Sequence, residues 1–156
     1  MKSVVSPKGV IAVFFGAAVF YFASFYGLEY LRHRRGPWEL DFQHGTQGVP
    51  TIVIAQPALG IRDVTLVFHD EAMTNDTKVV RFDRVERTPA FGDLIFHDLT
   101  FLPGVLTFNL FGHEIELLPR VLVVNKKEVP WQSGDIIDLW PTNKPAQPPR
   151  PPKPRS

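Results

Sequence analysis

Residues 9–28 read GVIAVFFGAAVFYFASFYGL, an apolar stretch that contains no charged residue, no Asn or Gln and no proline. At ~1.5 Å of rise per residue, a helix over this stretch is ~30 Å long, which matches the hydrocarbon thickness of a bilayer. We therefore expect a membrane-spanning helix over residues 9–31, after a short N-terminal tail over residues 1–8. The lipid bilayer is its expected partner.

A cleaved signal peptide is the main alternative for this stretch. Signal peptides have a shorter apolar core, followed by small residues just before the cleavage site. Large aromatic residues interrupt the candidate cleavage site around Ala23 and Ser24. A buried helix of a soluble domain fits less well, because the stretch has no polar face. The pattern favours a retained anchor.

Small residues form a stripe along one face of the predicted helix. At about 100° per residue, four Ala and Gly positions fall within about 60° of one another, and a valine joins them. Such a face lets a second helix approach closely, although Ala and Gly are also common in membrane helices without such a role. We expect packing against another membrane protein subunit through Ala12, Gly16, Val19, Ala23 and Gly27.

Basic and aromatic residues bound the apolar stretch at both ends. Such side chains collect at membrane interfaces. We expect residues 32–37 to form a basic juxtamembrane linker, and we assign to the membrane interface Lys8, Tyr30, Arg32, Arg34, Arg35 and Trp38.

The two sides of the predicted span carry nearly equal numbers of positive charges, so charge does not decide the orientation of the helix. The positive-inside rule compares Lys and Arg on the two sides of a span, and Lys2 and Lys8 with the α-amino group nearly match the three arginines. We expect the following domain on the exported side, periplasmic or equivalent. The cytoplasmic or matrix side is the alternative.

Residues 38–140 form a series of short strand-like segments separated by turn residues. Strands at this spacing, with no helical periodicity between them, predict an all-β domain, an antiparallel β-sandwich or barrel. Asn125-Lys126-Lys127 suits a tight hairpin turn. The predicted strands cover residues 38–43, 51–55, 64–69, 78–84, 94–97, 105–111, 113–118, 121–124 and 136–139.

Residues 141–156 read PTNKPAQPPRPPKPRS, a basic, proline-rich tail. This composition cannot build a core and favours extended polyproline II. Such a tail either stays free or docks in a groove or on an anionic surface. The residues that would dock are Lys144, Pro148, Pro149, Arg150, Pro151, Pro152, Lys153 and Arg155.

Three histidines, His69, His97 and His113, are each followed by an acidic residue. Residues 66–70 (LVFHD) also resemble residues 94–98 (LIFHD), so a duplicated hairpin would bring the first two together as candidate metal ligands. The close spacing of compact metal sites is absent. We therefore expect no metal, and surface histidines at strand ends, with Leu66, Phe68, Leu94 and Phe96 facing the core.

Composition and missing motifs exclude several function classes. A net charge of +1 is too small for a general nucleic-acid binder. The absence of cysteine excludes disulfides, Cys-ligated metals and thiol catalysis. The sequence contains neither a phosphate-binding glycine loop nor a Gly-x-Ser-x-Gly elbow. We expect no enzyme, cofactor or small-molecule substrate.

The leading hypothesis is a non-catalytic, single-pass membrane subunit that scaffolds or stabilises a larger membrane protein complex. Its helix, β-domain and proline-rich tail would each contact other subunits. The alternative is a membrane-tethered β-sandwich binding module for a ligand, carbohydrate or envelope polymer. Trp38, Trp131 and Trp140 would then stack on a sugar, although large aromatics more often pack in cores.

Overall fold

One long helix followed by ten strands makes up residues 7–45, 48–72 and 77–141, the part of the chain that the computed structural model describes. Helix α1 spans Pro7–His33, and a short 3-10 turn, Pro57–Leu59, follows the second strand. The strands are β1 Trp38–His44, β2 Pro50–Gln56, β3 Ile61–Phe68, β4 Lys78–Phe82, β5 Asp93–Asp98, β6 Val105–Leu110, β7 His113–Leu117, β8 Val121–Val124, β9 Lys127–Pro130 and β10 Ile136–Leu139. An apolar N-terminal helix and a mostly β domain are thus confirmed.

The strands form two five-stranded sheets. Their orders are β10-β3-β2-β1-β4 and β5-β6-β7-β8-β9. Every pair is antiparallel except β10 with β3, which is parallel. A purely antiparallel domain was expected, and the exception arises because the chain returns from β9 to the first sheet, where the Thr65 N–H donates to the Asp135 carbonyl at 2.8 Å.

The two sheets share one apolar core, which gives a sandwich-like arrangement. In β1, Trp38, Leu40 and Phe42 are buried, as the period-two alternation predicts. Phe82 of the first sheet packs edge-to-face on Phe108 of the second, with ring centroids 5.4 Å apart. Inner-face residues of both sheets therefore interlock across the core.

Hairpin turns connect neighbouring strands of the second sheet. Asn125 and Lys126 both have positive φ, 50° and 66°, as a two-residue type I′ turn requires. This confirms the turn predicted at Asn125. Phe111 and Gly112 form the corresponding turn between β6 and β7, also with positive φ.

The similar segments at residues 66–70 and 94–98 do not occupy equivalent positions. Strand β3 lies inside the first sheet, whereas β5 is an edge strand of the second. The pairing of β5 with β6 shifts between Leu94 and Phe96, so Phe96 turns outward and is exposed. The prediction that Phe96 faces the core is wrong because this bulge breaks the alternation. Leu66 and Phe68 are buried as expected.

Gly104 provides a first test of the fold. Its φ is +74°, and an added Cβ would collide with the backbone carbonyl of Asp98. Gly60 has the same φ of +74° with no atom within 4 Å of an added Cβ. We expect Gly60→Ala to cost ~1–2 kcal/mol of unfolding free energy through backbone strain, and Gly104→Ala to cost at least ~1 kcal/mol more through the collision.

Chemical denaturation of the detergent-solubilised protein measures both costs. Gly60→Ala is the matched control, because it carries the same backbone strain without the steric contact. Equal losses of stability in the two variants would contradict the close approach at Gly104.

Candidate functional site

Helix α1 presents its whole apolar surface to the outside. None of its residues is buried, and its length and composition suffice to span a membrane. A signal sequence near the N-terminus would meet the same criteria of length and composition. Gly16 and Gly27 have no atom within 4 Å of an added Cβ, and every residue of the small-residue face is exposed: Ala12, Gly16, Val19, Ala23 and Gly27. That face is open to a partner helix.

The C-terminal turn of α1 is bonded to the loop between β5 and β6. The Arg32 carbonyl accepts the Leu102 N–H at 2.8 Å, and the Arg32 Nε donates to the Thr100 carbonyl at 3.1 Å. The last four carbonyls of a helix lack intrahelical donors, so the Leu102 amide satisfies one of them. Leu102 is itself buried, which fixes the contact to the core.

The segment that follows the helix is also fixed in place. Gly36 has φ +74°, and its N–H donates to the His33 carbonyl at 3.1 Å, an arrangement typical of a helix C-terminus. The Gln56 Nε2 donates to the carbonyls of Gly36 at 3.0 Å and Pro37 at 2.8 Å. The Gln56 Oε1 accepts the Ala58 N–H at 3.0 Å, and the residue is 1% exposed. We call the contacts of Arg32 and Gln56 the helix–domain junction.

Trp38 completes the junction from inside the domain. Its side chain is 0% exposed, and its Nε1–H donates to the Gly104 carbonyl at 3.1 Å. Its ring packs on Trp131 with centroids 5.4 Å apart. The assignment of Trp38 to the membrane interface is therefore wrong, because the alternation of β1 turns this side chain into the core.

The other residues assigned to the membrane interface are exposed. These are Lys8, Tyr30, Arg32, Arg34 and Arg35. Glu29 contacts two cationic neighbours on the helix, the Arg32 guanidinium at 3.3 Å and the His33 Nε2 at 3.0 Å. Arg32 and His33 belong to α1, which ends two residues later than predicted, so the expected linker is shorter than residues 32–37.

An open cleft of about 560 Å³ lies beside the junction. Partial burial raises the pKa of Asp83, but the hydrogen bond from Arg87 and its charge outweigh burial and hold that pKa below its usual value. The Thr100 N–H lowers the pKa of Asp98. Both carboxylates are thus ionised at neutral pH and unsuited to act as general acids. The cleft is lined by Arg32, Asp83, Arg84, Val85, Glu86, His97, Asp98, Leu99 and Thr100.

The three candidate metal-binding histidines have different surroundings. The His69 Nε2 lies 2.6 Å from the Asp138 carboxylate, and its ring stacks on Trp140 at 4.2 Å. His97 lines the cleft. Within residues 7–45, 48–72 and 77–141, no three His, Asp or Glu side chains form a group that could hold a metal ion.

His113 is buried, so its prediction as a surface histidine is wrong. It begins β7 on the inner face and packs near Phe68, and its Nδ1 lies 2.8 Å from the Asn125 Nδ2. Burial lowers the pKa of His113, and the hydrogen bond with Asn125 only partly opposes the shift. The neutral imidazole is therefore the form that burial in the fold stabilises.

The residues that build the junction were not recognised from the sequence. Gln56 directly follows the strand predicted over residues 51–55 and received no role, and Pro103-Gly104 lies between two predicted strands. Their partners lie far away in the chain, so no local pattern signals the contacts. The proline-rich tail, with its docking residues Lys144, Pro148, Pro149, Arg150, Pro151, Pro152, Lys153 and Arg155, lies outside the described residues.

Comparisons with models of protein families, with curated proteins and with solved structures gave no match.

The junction is tested by Gln56→Glu, which keeps the size and the acceptor of the side chain but removes its donor. The carbonyls of Gly36 and Pro37 lose their partner, and a carboxylate is placed beside them. We expect a loss of about 2 kcal/mol or more in unfolding free energy, measured by denaturation in detergent. Gln132→Glu, at an exposed position, is the control and should change stability little. Equal stability of both variants would contradict the role of Gln56.

His113 predicts a pH dependence of stability. Because its pKa is lowered in the folded state, the unfolded chain binds more protons at mildly acidic pH. The stabilising contribution of neutral His113 is complete above the unfolded pKa of about 6.5 and is lost as the pH falls toward the folded pKa. We expect the melting temperature to fall between pH 7.5 and 5, and His113→Phe to reduce this fall. An unchanged pH slope in the variant would contradict the prediction.

Proposed function

We propose that this chain is a non-catalytic, single-pass membrane subunit that scaffolds or stabilises a larger membrane protein complex. One observation carries the proposal: a fully exposed apolar helix is joined to a folded domain through several hydrogen bonds at Arg32 and Gln56. An apolar surface of this extent requires a cover, which a bilayer and a neighbouring helix supply.

Retention of the helix is supported by its continuity. Helix α1 runs without interruption through the candidate cleavage site at Ala23 and Ser24 and continues to His33. Its last turn carries Arg32, whose carbonyl satisfies the buried Leu102 amide. The last turn of the helix is therefore bonded to the domain, which places the domain directly at the end of the apolar stretch.

The charged groups of the cleft next to the junction fit a contact surface. Its carboxylates Asp83 and Asp98 have lowered pKa values, whereas a general acid at neutral pH needs a raised one. Its charges are mixed and neighbouring groups satisfy several of them, including Arg87 with Asp83 at 3.1 Å. Such a surface suits contact with another protein.

Tethering and alignment form the mechanism that we propose. Anchoring the domain in the same membrane as its partner raises the effective concentration of the domain at the partner's surface. The junction adds a fixed orientation, because the end of the helix and the first strand are bonded to the same loops. The domain lies on the exported side, and the proline-rich tail extends over a neighbouring subunit.

The alternative, a tethered module that binds a carbohydrate or another ligand, has less support. It calls for exposed tryptophans arranged in a groove. Trp38 is completely buried, Trp131 packs against it, and Trp140 stacks on His69. Trp140 is 41% exposed and Trp131 is half-buried.

The proposal is tested by substitutions on the small-residue face. Gly16→Leu with Gly27→Leu places two large side chains where a partner helix would approach, so we expect the companions to be lost after gentle detergent extraction. Native-size separation and identification of co-migrating proteins measure the outcome. The matched control is Phe14→Leu with Phe25→Leu, at positions about 180° around the helix at 100° per residue.

Loss of companions in the glycine variant alone supports the proposal. Unchanged co-purification in that variant overturns the helix contact. Migration of the wild-type chain without any companion overturns the subunit role and favours the tethered binding module.

A further inference from the structure

Residues 99–103, between β5 and β6, form a loop that we call the junction loop. Its backbone is bonded to Arg32 at two points, through the Thr100 carbonyl and the Leu102 N–H. Between these points lies Phe101, whose side chain is 58% exposed. We propose that the junction loop is a second membrane contact, in which Phe101 enters the interfacial layer of the bilayer.

The height of the loop along the helix supports this assignment, which rests on the proposed membrane span of α1. The apolar stretch ends at Leu28, and Arg32 is four residues further, ~6 Å along the helix axis at ~1.5 Å per residue. The headgroup region on each side of a bilayer is ~5–7 Å thick. The junction loop is therefore level with the headgroups when the apolar stretch spans the hydrocarbon core.

The chemistry of the surroundings fits the same layer. Tyr30 and Leu31 are exposed on the adjacent turn of α1, and aromatic rings concentrate at the depth of the headgroups. Arg34 and Arg35 follow directly on the chain and are exposed, and Arg32 itself is bonded to the loop. Basic residues next to a span attract anionic lipid headgroups. A bilayer surface thus suits both the apolar ring and the nearby charges.

The loop is attached on both sides. Leu102 is buried in the domain and Gly104 accepts the indole N–H of Trp38, so the core fixes the loop to the domain, and the two bonds to Arg32 join it to the helix. Helix α1 and the junction loop then form two adjacent points of membrane contact. Two such points would hold the domain at one tilt relative to the membrane.

Single-cysteine spin labels test the proposal, since the chain contains no native cysteine. Phe101→Cys, Phe20→Cys and Val79→Cys are each labelled in the full chain and reconstituted into vesicles of phosphatidylcholine and phosphatidylglycerol. Phe20 lies within the apolar stretch. Val79 is a matched exposed control, 62% exposed, which pairs with Asp41 three positions beyond Trp38 along β1 and thus away from the junction.

Collision of each label with oxygen, which partitions into lipid, and with a water-soluble nickel complex reports its depth. We expect collision with nickel at position 101 to be several-fold lower than at position 79, and intermediate between positions 79 and 20. Equal nickel collision at positions 101 and 79, with position 20 protected, overturns the second contact and leaves the membrane span intact. Nickel access at position 20 overturns the span and, with it, the proposed function.

Discussion

The bonds that join the end of α1 to the β-domain are the constraint on which the rest of the structure depends. Arg32 supplies a carbonyl to a buried amide, and Gln56 supplies a donor to two carbonyls of the connecting segment. The buried partners in these bonds, Leu102 and Gln56, would be costly to leave unpaired, because a buried polar group without a partner loses its hydration without compensation. The connection is thereby fixed, although a Gly-Pro pair at positions 36 and 37 would otherwise be a natural hinge.

This constraint relates the fold to the proposed role. The first strand begins directly after the junction, and Trp38 at its start is buried in the core. Gly104 holds that indole and also borders the junction loop, so core packing and helix attachment share the same residues. In a domain built in this way, the direction of the helix fixes the directions in which the surfaces of the domain face. A subunit that aligns neighbouring proteins requires such a fixed relation.

Local patterns predicted most of the architecture. The apolar stretch of residues 9–28, the alternation of β1 and the turn at Asn125 each depend on neighbours in sequence, and each is observed. Trp38, Phe96 and His113 were misassigned for different physical reasons. Trp38 follows a basic cluster, but the alternation of its strand turns the side chain into the core. Phe96 lies beyond a bulge. His113 is neutral and hydrogen-bonded to Asn125. The junction itself joins residues up to 70 positions apart, since Arg32 contacts Leu102, and no local pattern reveals such a contact.

The rigidity of the helix–domain junction is tested most directly by a distance distribution between spin labels at positions 20 and 79. The full chain with Phe20→Cys and Val79→Cys is placed in a lipid nanodisc and measured by pulsed electron paramagnetic resonance. A single narrow distribution, broadened when Gln56→Glu and Arg32→Ala are added, is the predicted result. A broad distribution in the chain with an intact junction would show that the domain swings freely on its anchor and would contradict a fixed orientation.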